Sequence, residues 1–465
     1  MTESWATFGA DLHLELSAGR GLRAGLTEAL REAARSGRLA PGTRLPSSRS
    51  LAADLGIARN TVAEAYAELV AEGWLTARQG SGTRVAERAR ERRSAPAAPV
   101  RRPVRARTSY SLMPGFPDLG GFPRAAWLSA ARRALTDAPN EAFGYGDPRG
   151  RVELREALAG YLARARGVYA DPERIVLCAG FAHGVTLLAK LLRARRVREV
   201  AVEGYGLDVH RDLLTAAGLR TRPLEVDAAG AHTQSLSPAS GAVLLTPAHQ
   251  FPTGAALTPV RRAAAVDWAR STGGLILEDD YDGEFRYDRQ PVGALQGLDP
   301  GRVVYLGTAS KSLAPGLRMG WMAVPPSLLD EVVATKGGTD WSSSALDQLT
   351  LAEFIRSGAY DRHVRGMRLR YRRRRDELVA AVGDRAAVSG IAAGLHAVLD
   401  LPPGGERAAL RAAAWQDLGV RPLSFFRHPD AAPPAPPREA LVVGFGTPPQ
   451  SAWAPTLAAL VAALP

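Results

Sequence analysis

Arginine outnumbers lysine 56 to three in this 465-residue chain, so each lysine is worth reading separately. Arginine keeps its proton at any working pH, whereas lysine can shed one and condense with an aldehyde as a Schiff base. Lys311 stands in Thr308-Ala309-Ser310-Lys311-Ser312, after the apolar run Val303–Leu306 and shortly before Arg318. The hydroxyls of Thr308 and Ser310 together with the Arg318 guanidinium suit a phosphate. A catalytic, aldehyde-binding lysine beside a phosphate cradle suggests pyridoxal 5′-phosphate. That cofactor needs an acid to keep its pyridine nitrogen protonated. The run Leu275–Tyr281 (LILEDDY) supplies it at a strand end, with Asp279 for the nitrogen and Tyr281 for the ring oxygen. Gly180, Phe181 and Ala182 open a helix after a strand and offer backbone N–H groups to the phosphate. Plainer readings stand beside these: three adjacent acids also suit a solvated loop or a metal site, and the glycine turn alone is weak. Lys190 reads as a solvated side chain, and Lys336, before Gly337-Gly338, as an exposed loop residue.

A second constellation lies near the start of the chain. Leu22, Leu26, Leu30 and Ala33 recur at helical spacing up to Gly37. Pro46 and Ser47 open a short helix over 48–55, and a third runs from Arg59 to about Glu72, burying Val62, Ala65, Tyr66, Leu69 and Val70. Trp74–Arg78 and Thr83–Val85 read as strands joined by Gln79-Gly80-Ser81-Gly82. Helix, turn, helix and hairpin in this order make a winged helix-turn-helix, whose second helix enters the major groove. Arg59, Asn60 and Thr61 then face base edges and phosphates, and Gly80, Ser81, Gly82 and Thr83 form the wing beside Arg78. Ser47, Arg44 and Arg49 complete the candidate DNA contacts. Taken singly, each arginine reads as an ordinary surface residue; the ordered series carries the assignment.

The elements that must position these groups fall into an α/β chain of several domains. Hydrophobic residues are 46% and charged residues 23%, the balance of a globular protein. The single cysteine, Cys178, cannot form an internal disulfide or a cysteine-rich zinc site. No apolar run is long enough to span a membrane and no leader pattern opens the chain, so a cytoplasmic protein binding no metal is expected. The net charge is +12, and residues 84–107 hold nine arginines against Glu87 and Glu91, a balance of +7. With Pro96, Pro99 and Pro103 among them, they read as an extended linker attracted to polyanions. Expected boundaries are a winged helix-turn-helix over 1–85, a linker over 86–107, a large cofactor-binding domain over 108–345, and an interdomain helix with a small α+β subdomain over 346–465. Short apolar runs at 175–177, 200–203, 242–245, 275–277 and 303–306 alternate with helical patterns. This predicts a mixed, mostly parallel sheet with helices on both faces and a site at strand C-terminal ends.

Residues 45–85 closely resemble the DNA-binding domain of GntR-type bacterial regulators, with Ala58 where that family often has a serine. The stretches FGYGDPRGRVELREALAGYLARARGV (143–168), TPAHQFPTG (246–254), LEDDYDGEF (277–285) and TASKSLAPGLRMG (308–320) resemble a fold-type I, aspartate-aminotransferase-like body. The union resembles the MocR subfamily of GntR-type regulators over nearly the whole chain. The resemblance implies that Lys311, Asp279 and Tyr281 hold pyridoxal phosphate, that Tyr205 stacks on its ring, and that Arg318, with Ser310 and Thr308, binds its phosphate. It further implies that Tyr145 reaches the phosphate of a partner subunit, in a homodimer whose DNA modules cross to the partner's body. Three departures follow: Glu203-Gly204-Tyr205 is a shortened loop, Ala182 replaces a usual glutamine, and Val442 stands where active aminotransferases carry a carboxylate-clamping arginine. Arg427 or Arg438 would have to substitute as the ligand-carboxylate clamp. The expected function is a transcription regulator that binds an operator and senses pyridoxal phosphate, an amino acid or an amine, with little complete transamination. The alternatives are a working aminotransferase with an accessory DNA module, and a cofactor-free dimerisation scaffold.

Overall fold

The computed structural model describes residues 21–78, 82–87, 108–287, 292–337, 343–434 and 438–465. Two compact units divide the chain, residues 1–106 and 107–465. The proposed linker lies almost wholly outside the described residues, as do Gly80 and Ser81 of the wing tip.

In the first unit the helix Leu22–Arg35 buries Leu26, Leu30, Ala33 and Ala34, the face that its apolar spacing dictates. The helix Ser48–Leu55 starts under a side-chain cap, Ser50 N–H donating to Ser47 Oγ at 3.1 Å, and stops at Gly56 in the left-handed region. The helix Arg59–Ala71 buries Val62, Ala65, Tyr66 and Leu69, with Val70 only half-buried. Its first turn follows an extended Ala58 that offers no side-chain acceptor. The Tyr66 hydroxyl ties this helix to the preceding loop by donating to Pro46 O at 3.1 Å. Leu75–Arg78 and Gly82–Val85 pair antiparallel, Leu75 opposite Val85 and Arg78 opposite Gly82.

The second unit is built on a seven-stranded sheet in the order Ile175–Cys178, Gly320–Ala323, Val303–Thr308, Leu275–Asp279, Ala242–Leu245, Glu199–Glu203, Arg220–Leu224. Gly320–Ala323 runs antiparallel to both neighbours, and the other pairings are parallel. The inner strands bury nearly every residue, as a sheet covered on both faces requires. Two strands carried no signal in the sequence. Arg220–Leu224 is an edge strand with exposed arginines, and Gly320–Ala323 is four residues after a tight turn. A smaller four-stranded sheet, ordered Ala387–Ser389, Ala397–Leu401, Glu439–Val443, Arg421–Pro422, carries the helices Gly405–Trp415 and Trp453–Ala463. The arginine-rich stretch is one helix, Ala359–Val382, buried along Tyr360, Val364, Met367, Tyr371, Arg374 and Leu378. No helix among the described residues is long and apolar enough to cross a membrane.

Lys336 corrects the sequence reading. It lies in the last turn of the helix Leu329–Gly337 and is 1% exposed. Gly337 after it is still part of the helix, and Lys336 falls on the face that helix turns inward.

Candidate functional site

The strand Leu275–Asp279 and the two residues after it send successive side chains to opposite faces of the sheet. Glu278 accepts the backbone N–H groups of Leu295 at 2.7 Å and Gln296 at 2.8 Å. Asp280 takes a bidentate pair from Arg166, at 2.6 and 2.8 Å, and the Tyr305 hydroxyl at 2.7 Å. Asp279 faces the other way and lines a cavity of about 160 Å³. All three acids are buried, which removes the solvated-loop alternative. Only Asp279 is left with an unpartnered side-chain oxygen, Oδ1. Burial pushes its carboxyl well above the usual range, and the Lys311 charge opposes that shift. An uncompensated carboxylate oxygen in such a place is costly.

Lys311 lines the same cavity, and its Nζ donates to Gly115 O at 2.6 Å. Burial lowers the ammonium pKa from its ordinary value, opposed by Asp279 and Asp282. Thr308 and Ser310 stand at the C-terminal end of a parallel strand with their hydroxyls 2.8 Å apart. Arg318, in the left-handed region at φ 52°, donates to Ala179 O at 2.6 Å. It thereby packs against the turn that opens the helix Phe181–Ala194. Gly180 has φ 80°, and a Cβ there would lie 3.2 Å from Arg318 Nη1, so both conformation and space favour glycine. Phe181 and Ala182 also line the cavity, as do Tyr205 and Tyr281. The Tyr281 hydroxyl sits 3.1 Å from His249 Nδ1, which is 2.8 Å from Asp282 Oδ2.

Sequence reasoning missed several residues here. His249, Asp282 and His396 gather behind Tyr281 in a buried group with the spacing of metal ligands. His396 Nε2 lies 3.1 Å from Pro252 O and His249 is taken up by Asp282, so each imidazole already has a protein partner. His210 lines the cavity with its ring 4.6 Å from that of Phe181, and burial drops its pKa to about 4, leaving it neutral. Arg211 and Glu203 are also in the wall. Burial lifts the Glu203 carboxyl to about 7 against hydrogen bonds from Thr246 and Gln250. His249, Gln250 and Asp282 belong to quoted motifs, but nothing in their spacing ties residues 33 positions apart. Only strand order does that.

The remaining candidates lie elsewhere. Arg427 and Arg438 do not line the lysine cavity; they line a neighbouring one that shares Tyr205 with it. Arg438 donates to Asp400 Oδ1 at 2.9 Å and Ser389 Oγ at 2.7 Å. Val442 is fully buried in an apolar cluster with Phe251 and Phe426. Tyr145 is 97% exposed and does not line its own chain's cavity. In the first unit Arg44, Ser47, Arg49, Arg59, Asn60, Arg78 and Gly82 are exposed, and Thr61 and Thr83 are partly buried. Ser47 has the added structural task of capping a helix.

Residues 22–85 match the family of bacterial regulatory proteins, gntR family, and residues 116–427 match aminotransferase class I and II. The chain is 32% identical to the HTH-type pyridoxine biosynthesis transcriptional regulator PdxR of Corynebacterium glutamicum over 436 residues, 91% of each protein. It is 33% identical to the probable rhizopine catabolism regulatory protein MocR of Rhizobium meliloti over 451 residues, 90% of this chain and 89% of that one. Among solved structures, an archaeal alanine:glyoxylate aminotransferase superposes with a TM-score of 0.68 at 24% identity, covering 76% of this chain and 89% of that one. That last likeness concerns the fold.

Proposed function

The chain belongs to the MocR-type family of transcriptional regulators, which join a GntR DNA-binding domain to an aminotransferase-like domain, and on that premise we propose that its body senses pyridoxal phosphate or an amine-bearing ligand. The single observation that carries this reading is the buried Asp279 oxygen without a partner, facing the same cavity as Lys311. A protonated pyridine nitrogen is the partner that such an oxygen fits. The residues present fit the cofactor. Asp279 would hold the ring nitrogen, Tyr281 the ring oxygen, and Tyr205 would stack on the ring. Arg318, Ser310 and Thr308, with the backbone at Gly180, Phe181 and Ala182, would hold the phosphate. When bound, the cofactor supplies an aldehyde for amines, and Lys311 is the amine this chain offers. The lowered pKa of Lys311 favours the neutral form that nucleophilic attack needs. His249, fixed by Asp282, orients the Tyr281 hydroxyl.

The protein acts as a homodimer in this reading, with Tyr145 reaching the partner's cofactor site and the DNA modules crossing between subunits. Residues 1–85, the linker over 86–107, the body over 108–345 and the subdomain over 346–465 are its working parts, and the cytoplasm is its setting. The relative named for pyridoxine biosynthesis makes pyridoxal phosphate itself a candidate effector. Apolar packing around Val442 supports slow turnover of common α-amino acids, because a valine cannot clamp a carboxylate. The test joins two measurements on the full chain: visible absorbance after adding pyridoxal phosphate, and operator affinity with and without it. Visible absorbance and a changed operator affinity are expected. Absence of both, or rapid ketoacid release from an ordinary amino acid, would overturn the reading.

A further inference from the structure

The Lys311 amine shares its cavity with the Asp279 carboxyl, yet among the described residues it forms no ion pair. Its hydrogen bond goes to a backbone carbonyl instead, Gly115 O at 2.6 Å. Gly115 lies in the stretch 109–118, by which the chain enters its second unit. Among the described residues, the other long-range hydrogen bonds of that stretch all lead to residues between 370 and 447. Ser109 N–H donates to Asp417 Oδ2 at 2.8 Å. Leu112 N–H donates to Gly419 O at 2.8 Å, and Leu112 O accepts Gly444 N–H at 2.7 Å. The Thr447 hydroxyl donates to Met113 O at 2.6 Å. Asp118 N–H donates to the Tyr371 hydroxyl at 2.9 Å, and its carboxylate pairs with Arg374 at 3.1 Å. Gly115 O alone ties the stretch to the strand end that carries Lys311. Gly115 has φ 90°, a region that favours glycine, so the turn presenting this carbonyl is written into the sequence.

We propose that Gly115 is the positioning partner of the free Lys311 amine, and that condensation of this amine with the cofactor's aldehyde releases the stretch 109–118. A free ammonium carries three donors on a flexible stem. In the condensation the aldehyde oxygen leaves as water with two of the nitrogen's hydrogens, and a carbon–nitrogen double bond forms. The nitrogen keeps at most one hydrogen, fixed in the plane of that bond, and its swing toward Gly115 O is lost. The state of Lys311 is thereby coupled to the segment that follows the linker. The release rests on the function proposed above; the positioning contact stands without it.

The test is hydrogen exchange of the full chain, read on peptides carrying the Leu112 and Asp118 amides, with the inner strand Val303–Thr308 as internal control. In the parent, saturating pyridoxal phosphate should speed exchange at those two amides about three- to tenfold, the worth of one hydrogen bond. Lys311→Met, of similar length but without a donor, should exchange at the loaded parent's rate before any cofactor is added. Lys311→Arg, which donates but cannot condense, should keep the cofactor-free parent's rate with or without pyridoxal phosphate. Should Lys311→Met also disturb the control strand, the loaded and cofactor-free parent decide between them. A parent that takes up no cofactor, beside a faster Lys311→Met, overturns the sensor reading and the release and supports the contact. Unchanged or slower exchange in the loaded parent overturns the release. Equal exchange in Lys311→Met and the cofactor-free parent overturns the contact.

Discussion

The two units of the chain handle charge in opposite ways. In the first, Arg44, Arg49, Arg59 and Arg78 stand exposed on and beside three short helices and a hairpin. In the second, the charges that matter are buried at strand ends, and almost all are matched: Arg166 with Asp280, Glu278 with two backbone N–H groups, His249 with Asp282. An exposed arginine therefore carries little information by itself, and the expectation of a DNA-binding surface rests on an ordered series of residues. A buried oxygen without a partner carries much, because water cannot satisfy it. The same contrast ranks the expected effects of substitution, from loss of a whole state in the body to fractions of a binding energy in the front unit.

The largest effect belongs to Lys311→Ala. Lys190 is exposed on another helix and Lys336 is buried in the helix Leu329–Gly337, so no other lysine lines the cavity. Visible absorbance of bound pyridoxal phosphate should disappear, while the front unit keeps its fold and its basal operator binding. Retained absorbance would break the contrast by showing that the buried lysine is not the reacting amine. Next is Asp279→Asn. Breaking one side of a buried ion pair typically costs about 3–5 kcal/mol, so cofactor affinity should fall by about two to four orders of magnitude in a spectral titration. Since Asp279 Oδ1 has no partner within the protein, the melting temperature of the cofactor-free variant should not fall. A large loss of stability with unchanged cofactor affinity would give Asp279 a purely structural role.

Buried carboxyls also set a pH dependence with a definite sign. Burial raises Glu203 from 4.5 to about 7, so the folded state holds a proton that the unfolded chain has released. Its contribution to stability is full below about 4.5 and declines as pH rises through about 7. Glu203→Gln removes this term. Relative to the parent, the variant should gain about 1–3 kcal/mol between those limits. Chemical denaturation at both ends of the window checks it, and a difference that does not change with pH would place Glu203 in a wetter environment.

How far the sequence alone reaches follows the same division. The front unit was legible because its signals are local: apolar spacing, Ser47, Gly56, and a glycine-rich tip between two short strands. The inner strands of the body were legible as apolar runs, and Lys311, Asp279, Tyr281 and Arg318 as chemical types near strand ends. Arg220–Leu224 and Gly320–Ala323 were not, one too polar and the other too short to show a period. His249, Asp282 and His396 escaped for another reason. Their association exists only after strand order brings three separate loops together. Arg427 and Arg438 show the limit from the other side, since residue type suggested a clamp and the fold puts both in the adjacent cavity.

Smaller effects test the front unit. Arg59 begins the helix Arg59–Ala71 with an exposed side chain, and Arg59→Ala should weaken specific operator binding by roughly 1–3 kcal/mol. The cofactor spectrum should be unchanged. Operator affinity equal to the parent's at matched salt would remove this helix from the groove.

The smallest expected effect is also the most local. Two helices of one unit start differently: Ser47 caps the first through Ser50 N–H, while Ala58 leaves the second uncapped although its backbone is already extended at φ −67°, ψ 137°. Those angles suit a capping residue, and the only thing missing is a side-chain oxygen. Thr61 N–H now reaches back to Ala58 O at 3.1 Å, a tight turn that leaves neighbouring donors to water. Ala58→Ser supplies an acceptor for the first turn and should stabilise the front unit by about 1 kcal/mol. Thermal melting of residues 1–87 within the full chain, followed by hydrogen exchange at Asn60–Val62, reads the change directly. Slower exchange in that turn is expected, with operator affinity equal or slightly higher if Arg59, Asn60 and Thr61 face the groove as the sequence leads one to expect. Unchanged exchange would mean that the uncapped start is already held by the loop before it, and that the missing oxygen at position 58 costs this helix nothing.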